Sequence, residues 1–264
     1  MVPFCPTDDT NAGGLAISNQ ITIEVCVDNY EAAQAAVEAG ADRIELCSAL
    51  SEGGLTPSFG LMQIACQLKV PVFVMIRPRR GDFTYSSDDM AIMARDICMV
   101  KELGLAGVVF GSTHSHGRLD KVGMKVLKTA AGPLGTTLHR AIDVAPDALE
   151  AVEAAIEIGF DTILTSGQAR KAIDGIECIA SMHKKADGRI NIMAGSGVGP
   201  GNARQLVTQA GLRHLHLSAS IRKKSDMTHR GLFADADNVY TRASVDPELV
   251  QQTRDLAMAA LGSH

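Results

Sequence analysis

The chain has 264 residues, 46% of them hydrophobic and 21% charged, with a formal net charge of −5, which provides for one domain with a large core and offers no basic face to neutralise nucleic-acid phosphates. Met1 to Gln20 lacks the basic and apolar regions of a secretory signal, and no stretch reaches 18 uninterrupted apolar residues, so the sequence reads as cytoplasmic, without membrane or nucleic-acid partners. Six cysteines, at positions 5, 26, 47, 66, 98 and 178, form no CxxC pair, against a disulfide scaffold or a structural zinc site.

Residues 1–20 mix Pro, Gly, Asp, Asn and Thr without periodicity and are expected to form a flexible extension containing Cys5. From Ile21 onward, short apolar runs predict eight strands: Ile21–Val27, Arg43–Cys47, Val72–Arg77, Gly107–Gly111, Gly135–His139, Thr162–Thr165, Ile190–Ala194 and His214–Leu217. Segments of helical period lie between them: Tyr30–Ala39, Ser58–Leu68, Asp88–Leu103, Lys121–Ala131, Pro146–Ile158, Ala172–Lys185 and Asn202–Ala210. Glycines at 40, 104, 159 and 211 close several of these helices. Such regular βα alternation favours a closed parallel barrel, the single-domain TIM (β/α)₈ fold, over an open sheet, and puts the functional site at the C-terminal ends of the strands. Residues 21–264 form that barrel, with a lid segment, Ile221 to Ala243, expected over the strand-end face and a last helix begun by Asp246-Pro247-Glu248.

Alternate strand residues face opposite sides, and the outer side must be apolar to meet helices. Ile21, Ile23, Val25 and Val27 therefore face outward, which turns Thr22, Glu24 and Cys26 into the barrel. By the same rule Arg43, Glu45 and Cys47 point inward, as do Phe73, Met75 and Arg77, then Thr137 and His139, then Asn191, Met193 and Gly195, and finally His214, His216 and Ser218. Buried carboxylates need partners, and Glu24 and Glu45 are expected to share Arg77, or Arg43 lower down. An internal ion-pair network that only sets strand register is the alternative reading of these charges.

The runs EVCVDN at Glu24–Asn29, RIELCSALSEGGLTPS at Arg43–Ser58, VMIRPRRGDFTYS at Val74–Ser86, LHRAIDVA at Leu138–Ala145 and ILTSGQA at Ile163–Ala169 closely resemble the CutC family, named for copper homeostasis, from Ile21 to about Leu256. The resemblance implies a cytosolic TIM-like barrel, often a homo-oligomer (dimer or tetramer), that handles copper. It also implies Cu(I) as ligand, held by the cysteines of the first two motifs, here Cys26 and Cys47. Leu138 and Ile142 stand where an aromatic is common in the family, and GSTHSHGRLD carries extra histidines.

Two thiolates at matched positions on neighbouring strands suit a soft ion such as Cu(I), although a free cysteine is also a common core residue. Cys66, Cys98 and Cys178, on predicted helices, are expected in the core. The polar set is wider than a copper site needs, which supports the alternative of a barrel enzyme acting on a small anionic metabolite. Its candidate catalytic residues are Glu24, Glu45, Arg77, His139 and Asp143, with Arg77 and Arg79 clamping an anion, His139 moving protons and a glutamate as base. The glycine-rich run Ala194–Asn202 could bring backbone amides of Gly195, Ser196 and Gly197 to a phosphate, together with Ser218, or could be only a tight turn. The His114/His116 pair reads as an unliganded surface loop.

Overall fold

The computed structural model describes residues 20–229 and 240–261. Its eight inner strands are β1 (Thr22–Val27), β2 (Arg43–Leu46), β3 (Val72–Met75), β4 (Gly107–Phe110), β5 (Gly135–Leu138), β6 (Thr162–Thr165), β7 (Asn191–Ala194) and β8 (His214–Leu217). They run parallel in sequence order, and β8 pairs with β1, with Glu24 opposite His216, to close the barrel. The intervening helices are α1 (Tyr30–Glu38), α2 (Phe59–Ala65), α3 (Ser87–Glu102), α4 (Lys121–Ala131), α5 (Ala148–Ile158), α6 (Ile176–Ala186) and α7 (Ala203–Ala210). The chain therefore adopts the single-domain TIM barrel that its alternation predicted. Residues 1–19 of the expected extension, with Cys5, lie outside the described residues.

Local chemistry starts and stops the helices where the barrel needs them. Ser86 and Asp89 form a reciprocal capping box at the head of α3, Asn29 caps α1 and Asp147 caps α5. Gly159 and Gly211 end α5 and α7 with φ of 92° and 71°, a turn that costs other residues a clash at Cβ. In α1 the buried face is Ala32, Ala33 and Ala36, small enough to let the helix lie close on the sheet.

Two separate apolar regions follow from strand parity. Ile23, Val25, Val27, Ile44 and Leu46 point outward into the large core shared with the helices, each at most 1% exposed. A second, smaller cluster of Cys47, Phe73, Met75 and Val109 fills the barrel interior. Phe73 lies across β4 and β5, and a Cβ on Gly107 would meet its ring at 2.4 Å and the Gly135 carbonyl at 2.6 Å. Those strands have room for the ring because they carry glycine there.

After β8 the chain differs from a draped segment. Ser220–Lys224 (β9) pairs antiparallel with Thr241–Val245 (β10) in a separate two-stranded sheet. This ribbon rests on the head of α1: Asn29 donates to the Ala243 carbonyl, and Glu31 pairs with Lys223 and Arg242. The base of the ribbon lies beside Cys26 and Val27, while residues 230–239 of the expected lid lie outside the described residues. The last helix, α8 (Pro247–Leu261), packs against α7 and α1 and completes the outer ring.

Candidate functional site

The mouth at the C-terminal ends of the strands holds a cavity of about 380 Å³, within the range of small-molecule sites. Its walls bring together Cys26 from β1, Glu45 from β2, His139 and Arg140 after β5, Ser196–Val198 after β7, and His216 and Ser218 from β8 and its end. Residues 190 positions apart meet here because barrel closure places β8 against β1.

His216 organises one wall. Its Nδ1 lies 2.7 Å from Glu24 Oε1 and its Nε2 3.9 Å from Glu45 Oε2, with the Cys26 sulfur within 4.8 Å. Burial opposes a charge on this ring, but Cys26, Glu45 and Glu24 outweigh it and hold the imidazole pKa well above its usual value. Donor atoms of Cys26, Glu45 and His216 all lie within 4.8 Å of one another. Burial raises the pKa of Glu45, with His216 opposing and Glu24 reinforcing the shift, and its Oε1 has no hydrogen-bond partner among the described residues.

Glu24 sits beneath this wall and is fully buried. Its partners are His216 and Arg43, whose Nε approaches Oε2 at 2.5 Å. Burial alone would raise its pKa; Arg43 and His216 overcome that and keep the carboxylate ionised. Of the two expected partners, Arg43 meets Glu24, whereas Arg77 pairs with neither glutamate among the described residues. Arg77 instead donates to the carbonyls of Glu52 and Gly54 (2.8 and 3.1 Å) and of Gly81 (2.7 Å). The geometric reason is its height: at the strand end it reaches the loops after β2 and β3, which it ties together.

Cys47 points inward as expected but lies in the interior apolar cluster, fully buried, with its sulfur 3.5 Å from Glu45 Oε2. Burial, then the charges of Glu45 and Cys26, drive its thiol pKa well above 9. A Cβ on Gly54 would come within 3.1 Å of its sulfur, so the loop after β2 covers it. It is not part of the Cys26–Glu45–His216 group.

Across the barrel, His139 is 3% exposed. Its Nδ1 accepts from the Ala141 amide at 3.2 Å, its ring packs tilted against Phe83 with centroids 4.8 Å apart, and Gly111 leaves no room for a Cβ against it. Burial and the neighbouring Arg77 lower its pKa to about 3. A neutral ring whose Nδ1 accepts carries its proton on Nε2, which has no partner among the described residues. At neutral pH it is therefore a hydrogen-bond donor, with little capacity to take up a proton.

Other predicted residues shape the site from outside. Asp143 accepts from Arg140 Nε (2.8 Å), Thr165 Oγ1 and the amides of Ser166 and Gln168, and so joins the ends of β5 and β6. Arg79 turns to Asp82, Asp89 and the Thr84 carbonyl within its own loop. Gly195 is a packing glycine, since a Cβ there would strike Leu164 Cδ1 at 2.5 Å. Ser196, with φ of 78°, and Gly197 border the cavity, as does Ser218. His114 pairs with Asp120 and accompanies His116 on an outer groove, where no third metal-ligating group joins them among the described residues.

His216 and Arg140 were absent from the candidate residues. Parity did place His216 in the barrel, but its importance depends on the β8–β1 pairing. Arg140 follows the inward His139 in a short 3₁₀ turn, Arg140–Val144, where strand parity no longer applies.

The profile of the CutC family matches residues 21–221. A family protein CutC of Caulobacter vibrioides (strain NA1000 / CB15N) is 50% identical over 200 residues, 75% of this chain and 81% of its own. One from Sinorhizobium medicae (strain WSM419) is 48% identical over 202 residues, 76% and 82% of the two chains. The crystal structure of a Streptococcus agalactiae protein, provisionally named copper homeostasis protein CutC, superposes with a TM-score of 0.72 at 32% identity, over 75% of this chain and 99% of that one. N-(5'-phosphoribosyl)anthranilate isomerase of Pyrococcus furiosus reaches a TM-score of 0.56 at 13% identity over 91% and 100% of the chains, a likeness of fold alone. Among the described residues no helix is long and apolar enough to cross a membrane.

Proposed function

The chain belongs to the CutC family, and on that footing we propose that it handles copper by binding one ion as cargo at the barrel mouth, through Cys26 with Cys47 and His216 as further donors. The observation that carries this reading is the clustering of Cys26, Glu45 and His216 donor atoms within 4.8 Å. A thiolate and an imidazole suit copper, whereas the carboxylate is the harder donor. Glu24 anchors Nδ1 of His216 and leaves Nε2 toward the group, the arrangement in which an outer carboxylate fixes a ligating histidine.

The two thiols contribute differently. Cys26 is partly exposed and borders the cavity, so an arriving ion meets it first. Cys47 lies below, protonated, and ligates only if the ion displaces its proton, as a bound cation does for a coordinating thiol. The group already assembled is then Cys26 with His216 and Glu45; His216 ligates through Nε2 once the ion displaces its proton, and Cys47 completes a two-thiolate site for Cu(I).

Competition titration against a chromophoric Cu(I) chelator tests this. Cys26→Ser combined with Cys47→Ser is expected to weaken binding by more than the ~10–100-fold that loss of an outer partner costs, and Glu24→Gln by roughly that amount. Unchanged affinity in the double variant would eliminate the thiolate site.

A further inference from the structure

The copper reading uses one side of the cavity. The other side is rich in hydrogen-bond donors that have no acceptor among the described residues. By strand order β5 lies across the barrel from β1, and there His139, nine-tenths or more buried, presents an Nε2–H without a partner among the described residues. Next to it Arg140 uses Nε on Asp143 and Nη2 on Ser166 Oγ, which leaves Nη1 without a hydrogen bond among the described residues. In the loop after β7 the amides of Ser196, Gly197 and Val198 likewise donate to no described acceptor. The exposed Ser218 hydroxyl completes the rim.

These donors are held in place before any ligand arrives. Asp143 fixes Arg140 from below, and Asn202 clamps the glycine-rich loop by accepting from the Gly199 amide and donating to the Gly197 carbonyl. Ser196 keeps a left-handed backbone, φ 78°, unusual for a residue with a side chain, while its hydroxyl bonds the Arg170 carbonyl. The guanidinium of Arg77 adds positive charge to the same cavity. A buried polar atom without a partner is costly and calls for an explanation. Copper supplies none for a neutral N–H donor.

We propose that the cavity binds a small organic oxyanion, a phosphorylated or carboxylated metabolite, whose anionic group sits among the Ser196–Val198 amides, Ser218 and Arg140 while a further oxygen accepts from His139 Nε2. The volume of about 380 Å³ admits a molecule of this class. The loops after the seventh and eighth strands are also where barrels of this architecture commonly seat phosphate.

Thermal shift and calorimetric titration of the full chain with glycerol 3-phosphate, inorganic phosphate, oxaloacetate and uncharged glycerol test the site. Glycerol 3-phosphate or oxaloacetate is expected to raise Tm in a saturable way, beyond sodium chloride of equal ionic strength, and glycerol is not. The phosphate and carboxylate arms decide which oxyanion the rim prefers. Ser218→Asp, at an exposed position that leaves folding intact, should weaken binding at least about tenfold by like-charge repulsion, and His139→Gln by about tenfold. Binding should persist in excess chelator and in the Cys26→Ser/Cys47→Ser protein, which separates this site from the copper site. The proposal is overturned if no anion stabilises the chain, if both rim variants bind like the wild type, or if binding disappears with the chelator.

Discussion

The lower half of the barrel interior and its mouth use the same residue types in opposite ways. Below, Arg43 pairs with Glu24, lies 4.2 Å over the Phe73 ring and reaches the Met193 sulfur, so a buried carboxylate and a half-buried guanidinium satisfy each other. Above, Glu45 Oε1 and His139 Nε2 are buried without partners among the described residues. Charged groups in the lower half have the geometry of a register-setting network, whereas the mouth leaves polar atoms open at a cavity. Thr137 Oγ1 and His214 Nδ1 also lack partners among the described residues but line no part of the mouth cavity, so what sets the mouth apart is unpartnered polar atoms that border a cavity.

If that division holds, the largest stability loss comes from breaking the lower pair. Arg43→Met leaves Glu24 buried without its main cation and should cost about 3–5 kcal/mol in urea melts, most of it recovered by adding Glu24→Gln. Gly107→Ala should follow at about 1–3 kcal/mol, because the new Cβ collides with Phe73 and with backbone; Phe73→Leu in the same chain should restore part of it.

Acid comes next and acts on both halves. His139 and His214 have folded pKa values of about 3 and about 4, lowered mainly by burial with Arg77 and Arg43 contributing respectively. Between those values and the ordinary histidine pKa near 6.5 the unfolded chain binds protons that the native chain refuses. Stability should therefore fall as pH drops from about 6.5 toward 4, and His139→Gln should flatten a Tm-versus-pH curve across that range and most distinctly between pH 4 and 3, where His214 no longer contributes.

Glu45→Gln sharpens the comparison from the other side. It removes a poorly satisfied buried carboxyl group, so stability should change by no more than about 1 kcal/mol, in either direction, while copper affinity falls. The smallest effect belongs to the exposed Lys121–Glu157 pair, where Lys121→Ala should shift stability by about 0.5 kcal/mol or less.

Much of this architecture was legible before any coordinates. Eight apolar runs separated by helical segments imply the barrel because each pattern has a fixed period. The apolar outer face of β1 forced Glu24 and Cys26 inward, and that of β2 did the same for Arg43, Glu45 and Cys47. Parity assigned a side chain to the interior and strand position gave its rough height, but neither fixed which groups meet. For that reason Arg77 and Arg43 both stood open as partners of the glutamates until the structure showed Arg43 on Glu24 and Arg77 tying loops, and the packing of Cys47 on Phe73, Met75 and Val109 was not visible in the sequence.

What the sequence by itself determined, then, is the barrel, its polar lining and the family, since periodicity and motifs are local properties of the chain. Only the tertiary structure decided that Cys26, Glu45 and His216 share one site, that Glu24 turns the His216 ring, and that His139 remains a neutral donor. Each of those depends on which strands become neighbours on closure and on how deeply each group is removed from water, and neither quantity is carried by any single segment.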